Sequence, residues 1–413
     1  MLKIVFILSI FIFISRFNLY ADTLKVGDSH LKSIKTAISF ANPHDYIVVL
    51  PGKYLEGNIL ISKPIHLIGL DYPVIDGDFK YEVLTITSDS VEIRGFIIQN
   101  IGKSFTQDFA GIKVIESSYC QIQNNKLVNT FFGIYLKKAR FCKILNNELI
   151  TDSKDEVNSG NGIHLWDCKY IIIKDNHITG HRDGIYFEFV DHSKVIGNTS
   201  EHNLRYGLHF MFSNFDIYEK NIFRENGTGV AVMFSKNISM NNNYFLENWG
   251  SASYGLLFKE IYDGDLTGNI FLENTIGLYA DGSNRIHIAY NEFVRNGWAI
   301  NMLGNSIDNT ITQNNFIGNT FDIATNTRHS KNRFVGNFWD QYTGYDLNAD
   351  GVGDIPFRPM KVFSYVTGRV PESIILLRSQ FIDMLNFAEK VAPVITPADL
   401  KDDTPSMKRH LYD

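Results

Sequence analysis

The chain has 413 residues, 44% of them hydrophobic, and 39 Lys and Arg against 45 Asp and Glu give a net charge of −6. A mildly acidic chain with no Lys/Arg cluster argues against a nucleic-acid partner. The three cysteines, Cys120, Cys142 and Cys168, contain no CxxC pair, which argues against a disulfide framework, a zinc site or a thioredoxin-like centre.

Residues 1–21 read as an export signal. Lys3 precedes an apolar run from Ile4 to Ile14, too short to span a bilayer, and Ala21 is the expected cleavage position. An uncleaved anchor is the alternative. No later stretch is apolar enough to span. Next, Ile34, Ala37, Ile38 and Ala41 fall at i, i+3, i+4 and i+7, so an amphipathic helix is predicted there as an end cap.

From residue 22 to 336 the pattern is repetitive. A Gly-aliphatic pair recurs at Gly111, Gly133, Gly162, Gly184, Gly207, Gly229, Gly255 and Gly277. Most steps are 22 or 23 residues; the longer ones place insertions at Thr151–Gly160 and Trp249–Tyr254. In phase runs an Asn series: Asn125, Asn147, Asn176, Asn198, Asn221, Asn243, Asn269, Asn291 and Asn315. The repeats are rich in Ile, Val, Phe, Tyr and Thr, show period-two alternation and lack the leucine-rich signature. They predict an all-β fold, a right-handed parallel β-helix with three strands per coil. The Asn is expected at a turn, in αL geometry and bonded to its counterpart one coil along.

Residues 337–370 form an aromatic and acidic closing region. Within it Asp346, Asn348, Asp350 and Asp354 alternate around Gly351 like the first half of an EF-type loop, although Phe357 stands where the bidentate Glu belongs. Calcium binding and a plain polar turn both fit. From Pro371 a helix is predicted through Ile374, Ile375, Leu377, Phe381, Met384, Leu385 and Ala388, followed by a polar, extended tail to residue 413.

Alternation sends two columns outward from the Gly pairs: Tyr135, His164, Tyr186, His209 and Trp166, Glu188, Met211, Met233. His209, Met211 and Met233 therefore converge on adjacent coils as a soft surface site for copper, or as exposed apolar residues. Cys120 and Cys142 share a phase with Ile171 and Ile238 and point inward. They read as a buried apolar pair, with a cross-coil disulfide or thiolate copper site as the alternative. Asp183 and Glu188 look isolated, which disfavours a sugar lyase, hydrolase or epimerase on the same scaffold. A sugar-binding module on the aromatic face is a third reading.

The layout resembles the NosD family. The resemblance rests on the repeats and, more sharply, on Asn337-Phe-Trp-Asp-Gln-Tyr342, Asp346 through Arg358, Leu376 through Asp383, Pro393-Val-Ile-Thr-Pro397 and Asp402 through Met407. It implies a periplasmic, non-enzymatic ABC transporter subunit, held at the inner membrane by a NosY-like permease with a NosF-like ATPase. Further implied partners are a NosL-like copper chaperone and nitrous oxide reductase (NosZ-like), to whose copper sites the assembly delivers. On that reading the segment 371–413 docks the permease.

Overall fold

The computed structural model describes residues 21–104, 107–367, 370–377, 379–391, 396–397 and 399–412. Of the export segment only Ala21 falls within them; Gly368, Arg378 and residues 393–395 of the tail motif also lie outside. Among the described residues the chain winds through about 14 turns of a right-handed solenoid with three parallel sheets, of fourteen, thirteen and twelve strands. No described helix is long and apolar enough to cross a membrane.

The Gly-aliphatic pairs lie in the twelve-stranded sheet, in register from coil to coil: Ile163, Ile185, Leu208 and Val230 are successive partners. Their aliphatic side chains are fully buried in the lumen. The glycines serve close approach between coils. A Cβ on Gly162 would lie 2.5 Å from Ile178 and 2.6 Å from the Gly184 carbonyl, so a larger residue would push neighbouring coils apart.

Two ladders of buried asparagines run through the core, one from Asn125 and the other from Asn203 toward the C-terminal end. In the first, each Asn accepts on Oδ1 from both the backbone N–H and the side-chain Nδ2 of the Asn one coil before. Asn198 thus donates to Asn221 at 2.9 and 3.0 Å, and Asn221 to Asn243 at 3.0 and 2.9 Å. The ladder ends at Asn314 and Asn337. Asn314 therefore replaces Asn315 of the sequence reading; Asn315 opens the next strand instead. A second correction concerns the turn. The positive φ belongs to the residue before each ladder Asn, such as Asn124, Asp175, Lys220 and Gln313, and not to the ladder Asn itself. The second ladder, Asn203, Asn226, Asn248, Asn274, Asn296 and Asn319, repeats the backbone N–H bond to the next Asn at every step and the Nδ2 bond at every step but Asn226, whose Nδ2 donates to the Ser200 carbonyl; it is headed by His181, whose backbone N–H donates to Asn203. Burial holds that imidazole neutral, pushed down to about 3.

Lumen side chains stack as well. Phe223, Phe245, Phe271, Phe293, Phe316 and Trp339 form a continuous column with ring centroids 4.1–5.7 Å apart. Such a column contributes dispersion and area burial with little side-chain freedom to lose.

Both ends are closed. At the N-terminal end α1, Ile34–Phe40, buries Ile34, Ala37 and Ile38, with Ser33 capping the Thr36 N–H. At the other end the last strand, Phe338–Trp339, lies beyond the expected limit at residue 336. The helix predicted from Pro371 is divided: a 3₁₀ segment, Pro371–Leu376, precedes the helix Gln380–Val391. A short unpredicted helix, Val362–Thr367, sets Phe363 on Phe321, and Ile382 joins them. Residues 399–412 then return to the solenoid and pair with its final strands at Asp402 and Ser406.

Candidate functional site

The outer face of the twelve-stranded sheet carries the candidate site. Met211 and Met233 are register partners on adjacent strands, both half-buried, and His209 lies on the same outward face two residues before Met211. The three therefore share one outward face, with the two methionines in register and His209 in register with Ala231. The structure differs from the sequence reading in exposure: His209 is only 4% exposed and is not a surface side chain. It stands in an edge-to-face stack with Tyr186, 5.1 Å between centroids, and beside Tyr206 at 4.7 Å.

The covering residues lie at the starts of the strands: Asp183 opens one, and Arg182 and Arg205 each precede one. Asp183 is wholly buried. Around it stand Nδ1 of His209 at 3.7 Å, Arg182 at 3.8 Å and Arg205 at 3.9 Å. Asp183 is therefore not the isolated carboxylate of the sequence reading. None of these pairs reaches hydrogen-bond distance. Neither oxygen of Asp183, neither ring nitrogen of His209 and not Nε of Arg182 has a hydrogen-bond partner. Burial opposes charge on Arg205, but the Asp183 carboxylate and Tyr206 outweigh it and raise its pKa.

The same column contains His164, which differs from His209. Nδ2 of Asn161 lies 3.0 Å from its Nδ1, and burial, reinforced by Arg182, pushes it down to about 3. Tyr186, beside Glu188, is pushed up to about 12, mainly by burial. Tyr135, expected to face solvent, is buried against Ala110 and Phe132. In the first outward column Tyr135 and His209 are buried, and His164 and Tyr186 between them are half-buried.

Sequence reasoning missed a second aromatic feature, on the edge beside Met211 and Met233. Phe189, Phe212 and Phe234 stack there with centroids 5.2–5.4 Å apart, each exposed and each with positive φ. Bulky side chains seldom adopt that conformation. Periodicity alone signals these positions, since each follows Glu188, Met211 or Met233 directly.

The cysteines are free and buried, as Cys120 and Cys142 were expected to be. Cys120 donates to the Ser88 carbonyl and Cys142 to that of Ser117. The thiol neighbour Cys120 and burial both raise Cys142, and burial pushes Cys168 up to about 12. In the acidic loop, Asp346 accepts from the N–H groups of Asp350 and Gly351, and Asp350 from that of Val352. Asp354 accepts from Leu347 N–H, and Asn348 donates to Asp350. Its carboxylates serve the turn itself. Among the described residues no three His, Cys, Asp or Glu side chains are grouped to hold a metal.

Comparison with known proteins adds the following. The family model "Periplasmic copper-binding protein (NosD)" matches residues 151–344. A Pseudomonas aeruginosa protein named probable ABC transporter binding protein NosD is 29% identical over 378 residues, covering 86% of this chain and 87% of its own. Its namesake from Stutzerimonas stutzeri is 27% identical over 382 residues, covering 87% and 86%. Among solved structures, the catalytic unit of a thermostable GH87 α-1,3-glucanase from Streptomyces thermodiastaticus aligns with a TM-score of 0.61, at 12% identity, over 79% of this chain and 70% of that one. That likeness concerns the fold alone. The family match over the central coils and two relatives spanning most of the length, on a parallel β-helix with this tail, show that the chain is NosD-like.

Proposed function

We propose that this chain is the periplasmic binding subunit of a copper-handling ABC transporter, with no enzymatic activity of its own, and that it takes part in loading the copper sites of nitrous oxide reductase. The family description and the relatives' names support the copper and transporter parts of that reading. The observation that carries the site is the in-register pair Met211 and Met233 beside His209. Thioether and imidazole ligands suit Cu(I). The partners on this reading are a permease with its ATPase, a copper chaperone and the reductase.

Met211→Leu with Met233→Leu preserves apolar volume and removes both sulfurs. The variant is expected to fold normally and to lose at least 10-fold in Cu(I) affinity, measured by competition with a chromophoric chelator. Wild-type affinity in the double variant would reject the site.

The permease contact belongs to the C-terminal helices. Ile375 is 87% exposed, Met384 72%, Phe387 69% and Phe381 67%. That is more apolar surface than a solvated helix presents, and it marks a partner face. Leu385 faces the other way, partly buried against the cluster of Phe321, Phe363 and Ile382. Phe381→Asp with Met384→Asp therefore tests docking without disturbing the core. The double variant should keep the wild-type melting temperature and fail to copurify with the permease; undiminished copurification would overturn the assignment.

A further inference from the structure

A buried carboxylate without hydrogen bonds is costly, and a fold keeps one where neighbouring charge compensates. Arg182 and Arg205, each about a third exposed, supply that charge for Asp183 and remain solvated at their outer ends. The direct cost of the arrangement falls on His209, whose two ring nitrogens are enclosed without a hydrogen bond.

The orientation of the ring is informative. Its Nδ1 is the nitrogen nearer Asp183, at 3.7 Å, across one coil boundary. A carboxylate on that side favours the proton on Nδ1, which leaves the lone pair on Nε2. In the same column Asn161 presents an amide donor to Nδ1 of His164. The lone pair of His164 is then used at Nδ1 and its proton sits on Nε2. Two histidines two coils apart are thus set in opposite tautomers by what stands beside each.

We propose that Asp183 is a positioning residue for copper: it fixes His209 as the Nδ1–H tautomer and so leaves the Nε2 lone pair as the imidazole ligand on the face that carries the Met211 and Met233 thioethers. The inference rests on reading the methionine pair as a Cu(I) site. Carboxylate–histidine pairs behind a metal contribute about 10–100-fold in affinity. Arg182 and Arg205 stand 3.8 and 3.9 Å from the carboxylate and act on His209 only through it.

Two measurements on the full chain test this. The first is the tautomer of His209 in the metal-free wild type, read from imidazole ¹⁵N shifts and assigned with His209→Gln. An Nδ1–H ring is expected, and an Nε2–H ring overturns the proposal. The second is Cu(I) affinity by chelator competition, compared for wild type, Asp183→Asn and the double methionine variant. Asp183→Asn should weaken Cu(I) about 10–100-fold and leave the sulfur signature of the bound copper intact by X-ray absorption. If the methionine variant is impaired while Asp183→Asn binds like wild type, the positioning role alone fails. If the methionine variant binds like wild type, the copper site itself fails. The tautomer measurement stands even if Asp183→Asn does not fold.

Discussion

Replacing Asp402 by alanine is expected to destabilise the C-terminal coils by about 3–5 kcal/mol, because it strips one acceptor from several buried donors. Asp402 is fully buried. Its Oδ2 accepts from the backbone N–H and Nδ2 of Asn337, each at 3.0 Å, and from Nε1 of Trp339 at 3.2 Å. Its Oδ1 accepts from the N–H groups of Gly336 and Thr404, each at 3.1 Å. Each orphaned donor costs about 1–3 kcal/mol, partly recovered where water enters. Stacked repeats unfold from their ends when end contacts weaken. Hydrogen exchange should therefore quicken first between residues 290 and 340, and the N-terminal coils should stay protected. Uniform protection matching wild type would contradict the role. The same contacts bear on the design of docking tests. Removing everything after Gly368 deletes this carboxylate together with the exposed helix, so loss of permease binding in such a truncation would not separate docking from fraying.

Asn221→Leu is expected to cost about 3–4 kcal/mol in denaturant unfolding, from the same physics in mid-solenoid. Asn221 is fully buried. Leucine leaves the backbone N–H of Asn198 without its acceptor, takes one of three acceptors from its Nδ2, and leaves the Val195 carbonyl and Asn243 Oδ1 each short of a donor. None of that cost comes from turn geometry, since the αL residue of this turn is Lys220. A change below about 1 kcal/mol would mean that water replaces the ladder bonds at no penalty.

The architecture was legible because the coil is a physical unit with its own sequence period. Glycine marks close approach, asparagine the buried turn, and alternating aliphatics the lumen. The second asparagine ladder was also within reach, since Asn203, Asn226 and Asn248 keep the same spacing. At Asn314 and Asn315 adjacent asparagines left the phase ambiguous, and only the inter-coil bond decides between them. The site was legible by half. Alternation placed His209, Met211 and Met233 on one face. It carried no information on what covers a face, because Arg182 and Arg205 precede the strands and Asp183 opens one. The role of Asp402 was beyond any local pattern, since the carboxylate and the Asn337 it serves are 65 residues apart.

The asparagine ladder also has a polarity. Every Asn-to-Asn bond in it is donated toward the following coil, while the second Nδ2 hydrogen goes back to a carbonyl of an earlier coil, so the Asn-to-Asn series always ends on donors at the C-terminal side. A solenoid ended this way offers two unpaired N–H groups beside a parallel strand edge, which is a surface for adding another solenoid end to end. Asparagine there would accept the two donors and present two more. Aspartate accepts and offers none. The carboxylate of Asp402 thus acts as a chain terminator for the hydrogen-bond series, and the returning tail covers the strand edges around it. The end of the series thus depends on one acceptor-only side chain at its last rung, and variants lacking it should be sought in filaments as well as in unfolded protein.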